Sequence, residues 1–218
     1  MGDVVGVRGL VLDGMRIGGV GIQIDRASAV HIQNCVIRNY EGGGPDGILV
    51  SGTTNLQLFV SDTLIYNNGS VAASGGIIIQ PVQNASVNIN VVLDRVHLEN
   101  NVRGLWVDGS HATGTGIHVI LRDSVVSGNA GEGILATSAP NQAAAFIVVE
   151  RTSAVNNGGT GILANGPHAT MLLKENMVTR NAVGINAVNG GQLISYGNNS
   201  VNNNLGLDGV PTGSYSPI

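Results

Sequence analysis

The apolar residues of this chain fall in short runs with every second position hydrophobic, as in "GIQIDRASAVHIQ" and "VVLDRVHLENN". That period of two marks strands with one face buried. The runs also repeat. A regularly spaced series of glycines followed by Ile or Leu runs through Gly21, Gly47, Gly76, Gly104, Gly133, Gly161, Gly184 and Gly206, at intervals of 22 to 29 residues by subtraction of these numbers. Two residues beyond the aliphatic stands another small or apolar residue: Ile24, Val50, Ile79, Val107, Ala136, Ala164 and Ala187. A second alternating run follows later in each unit, so each repeat predicts about three short strands and no helix.

Aligning the units on their last asparagine brings out columns. Asn68, Asn101, Asn129, Asn157, Asn181 and Asn204 form one, with Tyr40 in the first unit. Three residues upstream the column is apolar throughout: Ile37, Ile65, Leu98, Val126, Ala154, Val178 and Val201. Five upstream it is small or polar, from Cys35 and Thr63 to Asn176 and Asn199. Two adjacent columns further upstream carry charge of alternating sign, Asp62, Arg95, Asp123, Arg151, Glu175 beside Asp94, Arg122, Glu150, Lys174. Stacked parallel and in register, each charge meets opposite charges in neighbouring repeats, whereas a slip of one repeat sets like charges side by side. Exposed pairs of this kind contribute only ~0.2–1 kcal/mol each, so the ladder is expected to fix register more than to stabilise.

These features specify an all-β fold, a right-handed parallel β-helix (solenoid) of about seven to eight rungs of 22–29 residues, over residues 1–209, with 210–218 as a C-terminal tail. "GIQIDRASAVHIQNCVIRNY" and "GGQLISYGNNSVNNNLG" resemble the right-handed β-helix repeat proteins of the pectate-lyase-like superfamily, including small bacterial members without assigned activity. The resemblance covers nearly the whole chain, but its motif is a folding motif common to enzymes, binding proteins and structural proteins. Residues 1–12 supply strand sequence and no polar cap, which leads us to expect end-to-end pairing or a cap in a longer parent chain.

Composition narrows the partners. Ten Lys and Arg against fourteen Asp and Glu, with no basic run, leave nothing to neutralise phosphates, so nucleic acid is not expected. No apolar stretch approaches the ~20 residues of a membrane span. The single cysteine, Cys35, sits at an inward strand position and reads as core, and the five histidines lack metal-ligand spacing, so neither metal nor other cofactor is expected. The opening "MGDVVGVRGL" has no basic segment followed by an apolar one, as a secretory signal would, and suits a trimmed form or a fragment. The compartment stays open.

The superfamily resemblance implies a groove on the outer face of the Gly-Ile-x-Val strand and a polysaccharide lyase, hydrolase or epimerase acting there. A lyase needs acidic calcium ligands and a Lys or Arg base, and a hydrolase needs two carboxylates about 5 to 9.5 Å apart. The outward Asp25 and Asp108 lie three rungs apart, roughly 14 Å at the usual strand spacing. The sole lysine, Lys174, belongs to the charge ladder. Arg103 and Glu132 fall on adjacent rungs, where a rim salt bridge is the simpler use for them. No catalytic residue is therefore assigned. The outward positions instead form an apolar stripe, Leu49, Ile78, Trp106, Leu135 and Leu163, that needs a cover. Turns or the tail with Tyr215 and Ile218 could fold over it, a second copy or another protein could bind it, or Trp106 could offer a platform to a polysaccharide. The expected function is a non-catalytic scaffold or binding module, with a polysaccharide-active enzyme as the alternative.

Overall fold

The computed structural model describes residues 3–44, 46–52 and 55–216. Every regular element among them is a strand, and every strand pair is parallel. One sheet has seven strands, Val20–Ile24, Asp46–Val50, Gly75–Ile79, Leu105–Asp108, Ile134–Thr137, Thr160–Asn165 and Val183–Val188. Each repeat contributes one of them, so the sheet bounds six complete turns of a solenoid. The other fifteen strands form a single bent sheet that supplies the two remaining sides. It is continuous because two long strands, Leu56–Tyr66 and Ser86–Glu99, run on through the corner that interrupts the chain in other rungs.

The interior is a set of straight columns. Ile48, Ile77, Leu105, Ile134, Ile162 and Ile185 are partners in successive strands, and none is more than 2% exposed. Ile37, Ile65, Leu98, Val126, Ala154 and Val178 form the matching column opposite, at 1% or less. The glycine before each aliphatic is required by close approach. A Cβ on Gly104 would stand 2.5 Å from the Gly133 carbonyl oxygen and 2.5 Å from a methyl of Val126, and one on Gly47 would stand 2.6 Å from the Gly76 oxygen. Backbone cannot yield there, so any side chain would push rungs apart.

The asparagine column is a ladder of buried amides. The Asn101 backbone N–H donates to Asn129 Oδ1 at 2.9 Å, that of Asn129 to Asn157 at 3.1 Å, and that of Asn157 to Asn181 at 3.0 Å. Each side-chain NH₂ donates back to the carbonyl three residues before the preceding asparagine, as Asn129 does to Leu98 at 3.1 Å. At the C-terminal end Asp208 takes the acceptor's place, receiving both the backbone and side-chain N–H of Asn204. These two bonds hold its carboxyl below the usual aspartate range.

One charge column occupies the corner itself, where Asp62, Arg95, Asp123, Arg151 and Glu175 all adopt left-handed backbone, φ 45 to 57. The charges pair in two clusters of three rungs each rather than one unbroken ladder, joined across the two columns by Arg95 with Asp94 and by Arg151 with Glu150. Arg95 grips Asp62 with two bonds of 2.7 and 3.0 Å, and Arg151 grips Asp123 at 2.7 and 2.9 Å. In the adjacent column Arg122 reaches Asp94 and Lys174 reaches Glu150, each at 3.0 Å.

Two sequence expectations are corrected here. The last of these Gly-aliphatic pairs forms no strand: Leu207 is 73% exposed, and the bonds from the Gly184 and Ile185 N–H groups to the carbonyls of Leu207 and Asp208 set Asp208, not Gly206, against Gly184. Leu207 therefore stands where the residue before each rung glycine sits, two positions out of step with the buried aliphatics, and is not placed in their inward column. Among the described residues the tail does not cover the apolar stripe of the seven-stranded sheet either; it borders only the last strand, Val183–Val188. Gly213–Ser214 pairs with Gln192–Ser195 on the bent sheet, and Tyr215 lies against Tyr196 with ring centres 5.8 Å apart. Ile218 lies outside the described residues.

Candidate functional site

On the seven-stranded sheet, strand alternation aims every other side chain out of the solenoid. Register aligns Gln23, Leu49, Ile78, Trp106, Leu135 and Leu163 in one outward column. Of the five members of the apolar stripe, two are covered within the chain itself: Ile78 is 1% exposed and Leu135 5%. Leu49, Trp106 and Leu163 are half-buried. The cover is local. The Trp106 indole N–H donates to Thr137 Oγ1 at 3.0 Å, which lays the ring along the next rung, where Leu135 sits. The Arg103 guanidinium stacks on that ring at 4.7 Å. It is pinned by Glu132 at 2.7 Å and by a hydrogen bond to the Ala72 carbonyl, which ties the 70–74 segment to the rim. Arg103 and Glu132 are thus engaged with each other, at 19% and 25% side-chain exposure.

Beside this floor runs a polar column. Asp25 accepts the Ser51 hydroxyl at 2.6 Å and the Gln23 amide at 3.0 Å, bonds that hold its carboxyl below the usual range. Three rungs on, Asp108 is 2% exposed and accepts Gln80 Nε2 at 2.8 Å and the Ser110 N–H at 2.9 Å, with His111 Nδ1 3.6 Å away. Ser51 and Gln80 stand between the two aspartates, which do not converge. Two adjoining hollows follow the column. One of about 690 Å³ is lined by Gln23, Asp25, Arg26, Ser51, Gly52 and Val82. The other, about 360 Å³, lies among Leu49, Ser51, Gln80, Pro81, Gln83 and His111. Both are open to solvent, and they have Ser51 and Val82 in common. Among the described residues no group of three or more His, Cys, Asp and Glu could hold a metal ion. No helix among them is long and apolar enough to cross a membrane.

The opposite wall carries a feature that sequence reasoning missed. On the outer face of the bent sheet Phe59, Val92, Ile120, Val148, Leu172 and Ile194 are register partners in six successive strands. Phe59 is 37% and Ile120 41% exposed, and the other four are half-buried. The first five stand nine residues before their asparagine of the ladder, so the alignment that revealed the charge columns contained this one too. It escaped notice because runs such as "AFIVVE" are apolar on both faces and read as wholly buried.

Residues 4–142 match the family model described as "Right handed beta helix region". The match spans well over half of the chain, and the protein belongs to that family. No curated protein and no solved structure matches it.

Proposed function

We propose that this right-handed β-helix protein is a non-catalytic binding module that seats an extended glycan along the outer face of its seven-stranded sheet. The observation that carries the reading is the polar column. Asp25 with Ser51 and Gln80 with Asp108 form hydrogen-bonded pairs on four consecutive rungs, beside a half-buried tryptophan; Asp25, Ser51 and Gln80 line the open hollows, and the buried Asp108 holds Gln80 in place. Rungs about 4.8 Å apart repeat at roughly the length of one sugar residue, so a linear glycan laid along the solenoid would meet a polar group at each step. Carboxylates and amides fixed in advance by mutual bonds lose little freedom on gripping hydroxyls, and an indole already locked by Thr137 and Arg103 offers a rigid apolar surface.

Binding is preferred over cleavage because the outward carboxylates are too far apart for paired acid–base work. Asp25 and Asp108 lie three rungs, about 14 Å, apart, beyond the ~9.5 Å limit for an inverting pair. Glu132 is committed to Arg103. The test is titration of immobilised uronate-containing and neutral glycans, with and without calcium, alongside assay for released oligosaccharide. Retention without product is expected, with Trp106→Ala and Gln80→Ala each weakening it about tenfold, equivalent to ~1.4 kcal/mol. Gln80→Ala guards against simple unsealing of Leu135 by loss of the indole. Retention unchanged in both variants would overturn the site, and product release would make the protein a polysaccharide-active enzyme instead.

A further inference from the structure

The apolar column on the bent sheet belongs to no part of the proposed glycan site. It is straight and solvent-facing over six rungs, and each of its members is at least partly exposed. Its N-terminal end is closed by His31, stacked on Phe59 with ring centres 4.7 Å apart and planes 11° from parallel. Near its centre a hollow of about 210 Å³ lies among Val92, His118, Ile120, Phe146 and Val148. Along one side runs the charge column Asp94, Arg122, Glu150, Lys174, and along the other the column Gln57, Asn90, His118, Phe146, Thr170, which carries no carboxylate, lysine or arginine.

We infer that two copies of this chain pair through this face about a twofold axis, with their solenoids antiparallel. The argument is charge symmetry. A column of four alternating charges becomes its own complement when reversed end for end. A twofold axis lying in the interface parallel to the strands, midway between the rungs of Ile120 and Val148, sets Arg122 opposite the second copy's Glu150. The same rotation sets Asp94 opposite its Lys174. Along the centre it sets Ile120 against Val148, Val92 against Leu172 and Phe59 against Ile194, and it brings His118 onto Phe146. Aligning the two solenoids in the same direction would face the charges with the column of Gln57 and Asn90 and forfeit this match.

The extent of the face suits a second copy. Six rungs at about 4.8 Å and five-residue strands at ~3.3 Å per residue give a footprint near 24 by 17 Å. Two such surfaces bury roughly 800 Å² in total, in the size class of small, weak and transient associations. A dimer that falls apart on dilution is therefore expected.

Sedimentation velocity over a wide concentration range reads this directly, using the full chain with Ile120→Lys and Val148→Asp as variants. Both positions are at the surface, and thermal melts check that each variant folds. The unaltered chain is expected to shift from monomer to dimer with rising concentration, and each variant alone to stay monomeric at least tenfold higher. An equimolar mixture of the two variants is expected to regain dimer. Only in the antiparallel pair does the lysine introduced into one copy meet the aspartate introduced into the other, while the unaltered Val148 of the first meets the unaltered Ile120 of the second. A chain monomeric at every concentration would overturn the inference and leave the face to some other occupant. A dimer indifferent to both substitutions would overturn the surface. A mixture that fails to recover would overturn the antiparallel arrangement.

Discussion

Asp46 opens the second strand of the seven-stranded sheet and is only 5% exposed. Its carboxyl accepts the Gly75 N–H at 2.8 Å, but loss of solvent outweighs that bond and pushes its pKa up to about 7. The sign follows from linkage. Below about pH 4 the group is protonated in both folded and unfolded chains and contributes no pH dependence. Between there and pH 7 the unfolded chain releases the proton while the folded one keeps it, so stability falls as pH rises, and above 7 the deficit is constant. At about 1.36 kcal/mol for each pH interval between the two ionisations, the deficit approaches about 4 kcal/mol. Asp46→Asn keeps an oxygen for Gly75 and removes the ionisation, though its amide must still be buried. A net gain of about 2 kcal/mol at pH 8.5 is expected, with no gain or a loss at pH 4. Urea denaturation followed by far-ultraviolet circular dichroism at both pH values measures it. Carboxylates such as Asp62 and Asp123, held low by their arginines, give the opposite slope in both proteins and cancel in the difference. A variant whose stability tracks the unaltered protein at a constant offset from pH 4 to 8.5 would refute the reasoning.

Two further substitutions test how the rungs are held together, in the same denaturation assay. Asn129→Ala removes the acceptor for the Asn101 N–H and the donor to Leu98 O and Asn157 Oδ1. Orphaning one buried N–H and losing two donated bonds is expected to cost roughly 3 kcal/mol, and a loss under about 0.5 kcal/mol would mean that water replaces the amide. Gly104→Ala forces a methyl against the Gly133 carbonyl and Val126, with an expected cost of about 1–3 kcal/mol. The same change at Gly6, where a Cβ meets nothing within 4 Å, is the matched control and is expected to be near neutral.

The architecture was legible because a solenoid repeats its physics. Every rung must bury one aliphatic after a glycine and satisfy one corner with an amide, so Gly104 with Leu105, and Asn129 after them, announce themselves by recurrence. The ends are not repeats, and there the pattern misled: Gly206 and Leu207 have the motif, but Asp208 takes the rung-glycine position against Gly184 and leaves Leu207 exposed. The outer faces were harder to read for a different reason. Alternation tells which side chains point outward, but whether an outward side chain stays exposed depends on what the neighbouring rung lays over it. Leu135 is covered because Trp106 reaches Thr137, a diagonal bond between residues 31 apart in sequence. Nothing in the spacing of Leu135 itself signals that cover.

The same consideration separates the two outer faces by use. On the seven-stranded sheet, the large outward groups hold one another in place: Trp106 by Thr137 and Arg103, Arg103 by Glu132, Asp25 by Ser51, Asp108 by Gln80. Such a surface is preorganised, and it favours a polar ligand that takes up hydrogen bonds already aimed. On the bent sheet the central column has no such fixings beyond the His31 stack at its end, only apolar side chains spaced by the strand repeat, and its specificity must come from the charges along its margin. A surface of that kind gains by excluding water against a matching row. Pairing through the bent sheet would leave both grooves uncovered, because each lies on a different wall of its own solenoid. Antiparallel pairing would then present two grooves of opposite polarity on one particle. A glycan polymer long enough to reach both would be held by two weak sites acting together, and modest affinity at each groove would suffice for firm retention.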